Sequence, residues 1–123
     1  MSLTTRLSDM IGRYLDVTAD QLKLTAQNMA NVDTPGYKTV GLDFRQAFAD
    51  AMRDASSDGW SSNDLSSTVS EVGGLIARPD GNNVSMDREG INLAEEQLKF
   101  RAGIAFLKDE FSTTMSAIHE DSK

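Results

Sequence analysis

A chain of 123 residues, 39% hydrophobic and 25% charged, has the size and composition of one folded domain rather than a disordered tail. Its 19 acidic and 12 basic residues give a net charge of −7, which argues against a nucleic-acid partner, because neutralising phosphates requires a basic face and none is visible. The absence of cysteine excludes disulfides and cysteine-rich metal sites while leaving the compartment open.

The N-terminal residues, Met1-Ser2-Leu3-Thr4-Thr5-Arg6, lack the ordered basic segment, apolar core and cleavage site of a secretory leader. No apolar run approaches the length of a bilayer span, so direct lipid insertion is not expected. If the protein leaves the cytoplasm, the expectation is export without a cleaved signal peptide.

Residues 5–33 carry helical periodicity. Leu7, Met10, Ile11, Tyr14, Leu22, Met29 and Val32 fall on one side, with Thr18, Gln21 and Thr25 filling the same stripe and Val17 and Leu24 lying off it. At 1.5 Å per residue such a helix runs about 40 Å, too long for the core of so small a globule, and it needs a second long helix to lie against. Charge within it balances, with Arg6, Arg13 and Lys23 against Asp9, Asp16 and Asp20.

The helix ends in strong punctuation. Asn28 and Asn31 carry amides that can bond backbone groups at a helix end, Pro35 pushes Thr34 out of the helical region, and Gly36 permits a positive φ, so the chain must turn. The run from Gln27 to Lys38, with Asn28, Asn31, Asp33, Thr34, Pro35, Gly36 and Tyr37, resembles the turn signature that follows the N-terminal helix of bacterial flagellar rod and hook proteins. Gln27 and Met29 are its mild departures from that pattern.

Residues 34–85 form a turn and an irregular middle. A short amphipathic helix is predicted within 42–52 through Phe44, Phe48 and Met52. The Ser-, Asp-, Asn- and Gly-rich stretch 54–68, with Trp60 and Leu65 its only large apolar residues, reads as a loosely packed loop. Residues 68–72 and 75–77 are candidate minor strands.

Residues 86–119 predict the second long helix, with Ser85 as its N-cap and Asp87 and Glu89 in the first turn. It has two apolar stripes. Leu93, Phe100, Ile104, Leu107, Phe111, Met115 and Ile118 approach a heptad seam, while Ile91, Ala94, Leu98, Ala102, Ala105 and Phe106 lie on the opposite side. The fold class is therefore mainly α: long terminal helices paired as an antiparallel coiled-coil-like hairpin, joined by an irregular middle with a short helix and minor β. One partner helix covers only one stripe, and burial is worth roughly 1.5–3 kcal/mol per large apolar side chain, so the other stripe invites further subunits. The alternative is a middle segment folded back over it.

Chemistry is absent from this reading. His119 sits near the acidic C-terminal end, Glu95 and Glu96 are adjacent and read as a solvated edge, and Asp80-Gly81-Asn82-Asn83 breaks the ligand alternation of a calcium loop. No catalytic, cofactor or metal residues are expected and the protein is not expected to be an enzyme.

A second segment, Asp80 to Glu89, is similar to the stretch preceding the C-terminal helix of short proximal rod proteins, with Ser85 in place of the usual Asp. Residues 39–85 leave no room for the larger inserted domains of distal rod and hook proteins. Another short proximal rod type, with a Pro-Asn-Val-containing approach to its last helix, is the nearest competitor. A non-polymerising helical adaptor is the reading from a different class.

The resemblance implies a structural subunit of the periplasm-spanning flagellar rod, exported without a cleaved signal, that transmits torque and lines the export channel. It implies no cofactor. Expected partners are further copies, other rod proteins, the MS-ring and rod-adaptor components, and the flagellar type III export apparatus. Leu7, Ile11, Tyr14, Leu22, Met29, Leu93, Leu98, Phe100, Ile104, Leu107, Phe111, Met115 and Ile118 would then serve helix packing and assembly. Phe44 and Phe48 resemble the segment proposed to engage the export gate.

Overall fold

The computed structural model describes residues 3–53 and 68–121, with the side chains of residues 6–53 and 68–120. The element order is α1 (Leu3–Ala30), β1 (Val40–Leu42), α2 (Phe44–Arg53), β2 (Val69–Glu71) and α3 (Met86–Asp121). The long helices pack antiparallel as the periodicity predicts, since Asn28 meets Glu89 near the closed end and Leu15 meets Gly103 farther along.

Local chemistry sets the helix ends. Ser85 caps α3, its Oγ accepting the Arg88 N–H at 3.3 Å, and Asp43 caps α2 by accepting the Gln46 N–H at 3.2 Å. The helix α1 stops at Ala30, slightly before the predicted boundary, because Asn31 turns its amide back onto the Gln27 carbonyl at 2.7 Å.

The middle segment differs in detail from its sequence reading. The strand in 68–72 forms as β2, but its partner is β1, which periodicity did not reveal; Val40 faces Glu71, Gly41 faces Ser70 and Leu42 faces Val69 in an antiparallel ladder. Residues 75–77 form no strand, and Ile76 is almost fully exposed. The predicted loop at 54–68 lies, except for Thr68, outside the described residues.

The apolar core sits between α1 and α2 rather than between the long helices. Val17, Ala47 and Ala51 are buried together, with Leu42 and Phe44 packed against them. By periodicity Val17 lies off the apolar stripe; it is buried because α1 has two covered faces, one toward α3 and a second toward α2 and β1. Arg13 joins the second contact by donating from Nη1 to the Ala51 carbonyl at the end of α2, 2.6 Å away.

The seam between α1 and α3 is polar at its centre. Glu89 and Glu96 are buried, Gly103 is buried, and both carboxylate oxygens of Glu110 are shielded from solvent, a spacing of seven that keeps all four on one side of α3. Leu93, Phe100, Ile104 and Leu107 flank this line half-buried, whereas Phe111, Met115 and Ile118 are exposed. Glu96 is thus no solvated edge: the Thr25 hydroxyl of α1 donates to its Oε1 at 2.8 Å and draws it inward, leaving Glu95 outside. Gly103 allows the close approach of the helices here, because a Cβ would stand 2.6 Å from Leu15 Cδ2 and that side chain would have to move.

The opposite stripe stays in solvent in the isolated chain, with Ile91, Leu98 and Phe106 at 62%, 70% and 66% exposure. Among the described residues, α2 and the strands pack chiefly on α1 and do not fold back over it.

Burial pushes the Glu96 carboxyl above its ordinary value of 4.5; the Thr25 hydrogen bond opposes this, the Glu89 charge adds to it, Lys99 opposes it and Glu95 adds again. The folded chain therefore holds this proton more tightly than the unfolded chain does. Its stabilising contribution is complete at acid pH and is lost as pH rises from the ordinary value through the raised one. Glu96→Gln is expected to be at least as stable as the parent at neutral pH and to show less gain on acidification, measured as urea midpoints across that window.

Candidate functional site

The turn signature and the second matching segment, far apart in the chain, meet at the closed end of the hairpin. Asn28 lies at their junction, 2% exposed, and spends its whole amide. Its Nδ2 donates to the Val40 carbonyl at 2.8 Å and to Glu89 Oε2 at 3.2 Å, while its Oδ1 accepts the Val40 N–H at 3.0 Å and the Tyr37 hydroxyl at 3.0 Å. Two donors and two acceptors are the full capacity of an asparagine side chain. One residue thereby links α1, the turn, β1 and α3.

Glu89, fully buried, receives its second partner from the neighbouring Arg88, whose Nη1 approaches Oε1 at 2.7 Å. A buried carboxylate is costly unless paired and hydrogen-bonded, and Asn28 and Arg88 meet that requirement together.

Asn82 performs the reciprocal task from the other segment. Also fully buried, it donates from Nδ2 to the carbonyls of Asn31 and Thr34, both at 2.8 Å, and accepts the Val84 N–H at 2.8 Å. Asn83 accepts the Thr39 N–H at 2.7 Å, and Arg78 donates to the Val32 carbonyl. The residues that invited comparison with a calcium loop are thus committed to the backbone of the turn.

Gly36 and Gly81 meet where the two segments cross. Both have positive φ, +75° and +88°, and the Gly36 N–H donates to the Asp80 carbonyl at 2.9 Å. A Cβ on Gly81 would lie 3.3 Å from Gly36 Cα, so the turn needs glycine for conformation and for proximity.

The rest of the signature is outward. Asn31 holds Thr34, whose hydroxyl donates to Asn31 Oδ1 at 3.1 Å, and Asp33, Thr34 and Pro35 are exposed. The site is a clasp: it has hydrogen-bond donors and acceptors matched to each other, and the described residues include no cluster of three or more metal-ligating side chains.

The aromatic pair Phe44 and Phe48 is placed against α1. Their rings stack at 6.1 Å, Tyr14 meets both edge-on at 5.3 and 6.2 Å, and Lys99 Nζ lies 4.6 Å from the Phe44 ring centroid. Both phenylalanines are engaged in packing in the folded chain.

Of the predicted packing residues, Ile11, Tyr14, Leu22, Met29, Leu93, Phe100, Ile104 and Leu107 are half-buried, and Leu7, Leu98, Phe111, Met115 and Ile118 are exposed. Sequence reasoning missed Glu89, Glu96 and Asn82 as buried residues. The spacing of seven from Glu89 to Glu110 through Gly103 was the available signal, obscured because charged residues are rarely read as a seam.

Comparison with known proteins gives similarity along most of the chain. The flagellar basal body rod protein FlgB of Borrelia hermsii is 32% identical over 106 residues, covering 73% of this chain and 78% of that protein. FlgB of Salmonella typhimurium is 28% identical over 119 residues, covering 85% and 86%, and FlgB of Escherichia coli is 29% identical over 121 residues, covering 85% and 86%. No family model matches the chain.

Asn28→Ala is expected to destabilise the fold by on the order of 3 kcal/mol, because it strands buried groups of Glu89, Val40 and Tyr37. Asn28→Asp is expected to cost more at neutral pH, since it sets a second buried carboxylate against Glu89, and to recover on acidification. Urea unfolding of both variants at neutral and mildly acid pH checks the order and its reversal.

Proposed function

Because the chain belongs to the FlgB family of flagellar basal body rod proteins, a family of structural rod subunits, we propose that its terminal helices pack against those of neighbouring subunits to build the proximal wall of the rod. In this reading the hairpin is one stave of a tube that transmits torque from the rotor and whose lumen passes export substrates. The partners are other copies, other rod proteins and the ring and adaptor components at the rod base. The chain does no chemistry there.

The observation that carries the reading is the apolar surface α3 leaves in solvent. Ile91, Leu98, Phe106, Phe111, Met115 and Ile118 are all exposed along one helix, more than a lone soluble domain of this size gains by displaying. A tube wall covers a helix from several sides; a non-polymerising adaptor would occupy one of them. The polar seam supports the same reading, because a hairpin held partly by buried glutamates costs less to open for passage through an export channel than one held by leucines.

Export through the flagellar type III apparatus without a cleaved signal is part of the proposal, with Phe44 and Phe48 as the recognised pair in the unfolded chain. No described helix is long and apolar enough to cross a membrane. Phe44→Ala with Phe48→Ala is expected to abolish secretion into the medium of rod-permissive cells while the protein accumulates inside; unchanged secretion removes this part.

Electron microscopy of basal bodies from cells lacking the chain tests the main reading. Rings without a rod are expected, and intact rods would overturn it.

A further inference from the structure

The middle of the seam between α1 and α3 holds more acceptors than donors. Glu96 is 3% exposed; its Oε1 accepts the Thr25 hydroxyl and its Oε2 has no partner. Gln21 Oε1, one turn from Thr25 on the same side of α1, is a second shielded acceptor without a donor. The cation three residues along α3 is engaged elsewhere, since Lys99 Nζ lies over the Phe44 ring of α2, 4.6 Å from its centroid.

The clasp presents the opposite case. Glu89 has Asn28 on one carboxylate oxygen and Arg88 on the other, so parting the helices there breaks bonds that are already complete. Parting them at Glu96 instead releases a carboxylate into water, where both oxygens find donors. Farther out, both oxygens of Glu110 are also shielded without a partner, so the same relief continues toward the free end of α3.

We propose that α3 parts from α1 from Glu96 outward while the clasp stays shut, and that closing this seam takes up one proton on Glu96 Oε2. The proton turns the unpartnered acceptor into a hydroxyl, which supplies the donor this stretch lacks and removes the buried charge. No other group has to move for the closed form to accept it.

The surroundings of Glu96 fix the direction. Burial raises its carboxyl above the ordinary value of 4.5; the Thr25 hydrogen bond opposes the rise, the Glu89 charge adds to it, Lys99 opposes it and Glu95 adds again. On α1 the neighbouring Asp20 and Lys23 pair with each other at 3.7 Å. The closed seam therefore binds the proton more tightly than the parted one. Between the ordinary value and the raised one, each pH unit upward favours the parted form by up to about tenfold, and outside that window the equilibrium is level. For a chain that opens its hairpin to pass a channel, the seam would shut more firmly on the more acidic side, but the inference stands on the hairpin alone and does not need the rod reading.

Native-state hydrogen exchange of the full chain, resolved by residue and corrected for the intrinsic rate at each pH, tests it. Once parted, the outer length of α3 loses its packing and frays. Amides of residues 96–107 are expected to exchange faster than the clasp amides of Gly36, Val40 and Val84 and with a weaker urea dependence, the mark of a partial opening. Their protection is expected to rise on acidification from neutral pH by up to about tenfold per pH unit. Glu96→Gln is expected to keep the partial opening and lose this slope. Thr25→Val, which removes the bond favouring the ionised form, is expected to move the rise to higher pH, and it carries the test alone if circular dichroism shows that the Gln variant has lost its helices.

Seam and clasp amides sharing one protection and one urea dependence would remove the partial opening. A slope that survives in Glu96→Gln, protection that falls on acidification, or a rise that Thr25→Val leaves in place would remove the proton from Glu96. Rods in the deletion cells bear on neither result, so this inference and the rod reading fail separately.

Discussion

A single buried amide organises this molecule. Asn28 saturates both ends of its side chain on four different groups, and in doing so ties the end of α1 to β1, to Tyr37 and to Glu89 at the start of α3. Each bond contributes modestly, on the order of 1 kcal/mol, but the alternative to making them is a buried glutamate and a buried backbone pair without partners. That asymmetry gives the closed end one geometry. It holds β1 and the first turn of α3 against the end of α1.

The clasp and the seam divide the work of holding the helices. At the closed end specificity comes from hydrogen bonds, with Asn82 bonding the backbone of the turn, Asn28 bonding the Val40 backbone and the Glu89 carboxylate, and Gly36 lying against Gly81. Along the seam the contact weakens progressively as Glu96 and then Glu110 find fewer donors. Apolar burial is concentrated instead where α1 meets α2, through Val17, Ala47 and Ala51. The hairpin is therefore firm at one end and open at the other, and Leu98, Phe106 and Phe111 of α3 remain outside.

A subunit of an assembly differs from a free domain in this respect. Its stability is inseparable from its neighbours, because surface left exposed in one copy is burial held in reserve for the next. The exposure of Leu98 and Phe111, each at 70%, would be a liability in a monomer and is economical in a wall. The precision of the clasp serves placement of the two long helices, which is what a rod subunit contributes.

Residue patterns alone determined the two long helices, the turn between Asn28 and Tyr37, the short helix through Phe44 and Phe48, and the surplus of apolar surface on α3. Each is a local signal, carried by a period of 3.6 residues or by the backbone limits of proline and glycine. Tertiary structure alone decided which side of α3 faces α1, the burial of Val17, the partner of β2, and the meeting of the two signature segments. Asn28 and Glu89 are 61 residues apart, and nothing near either predicts that an amide will reach a carboxylate across that distance. The seam passed unread for the same reason: a glutamate is legible as buried only once its donor is in place, and Thr25, Asn28 and Arg88 are brought to it by folding.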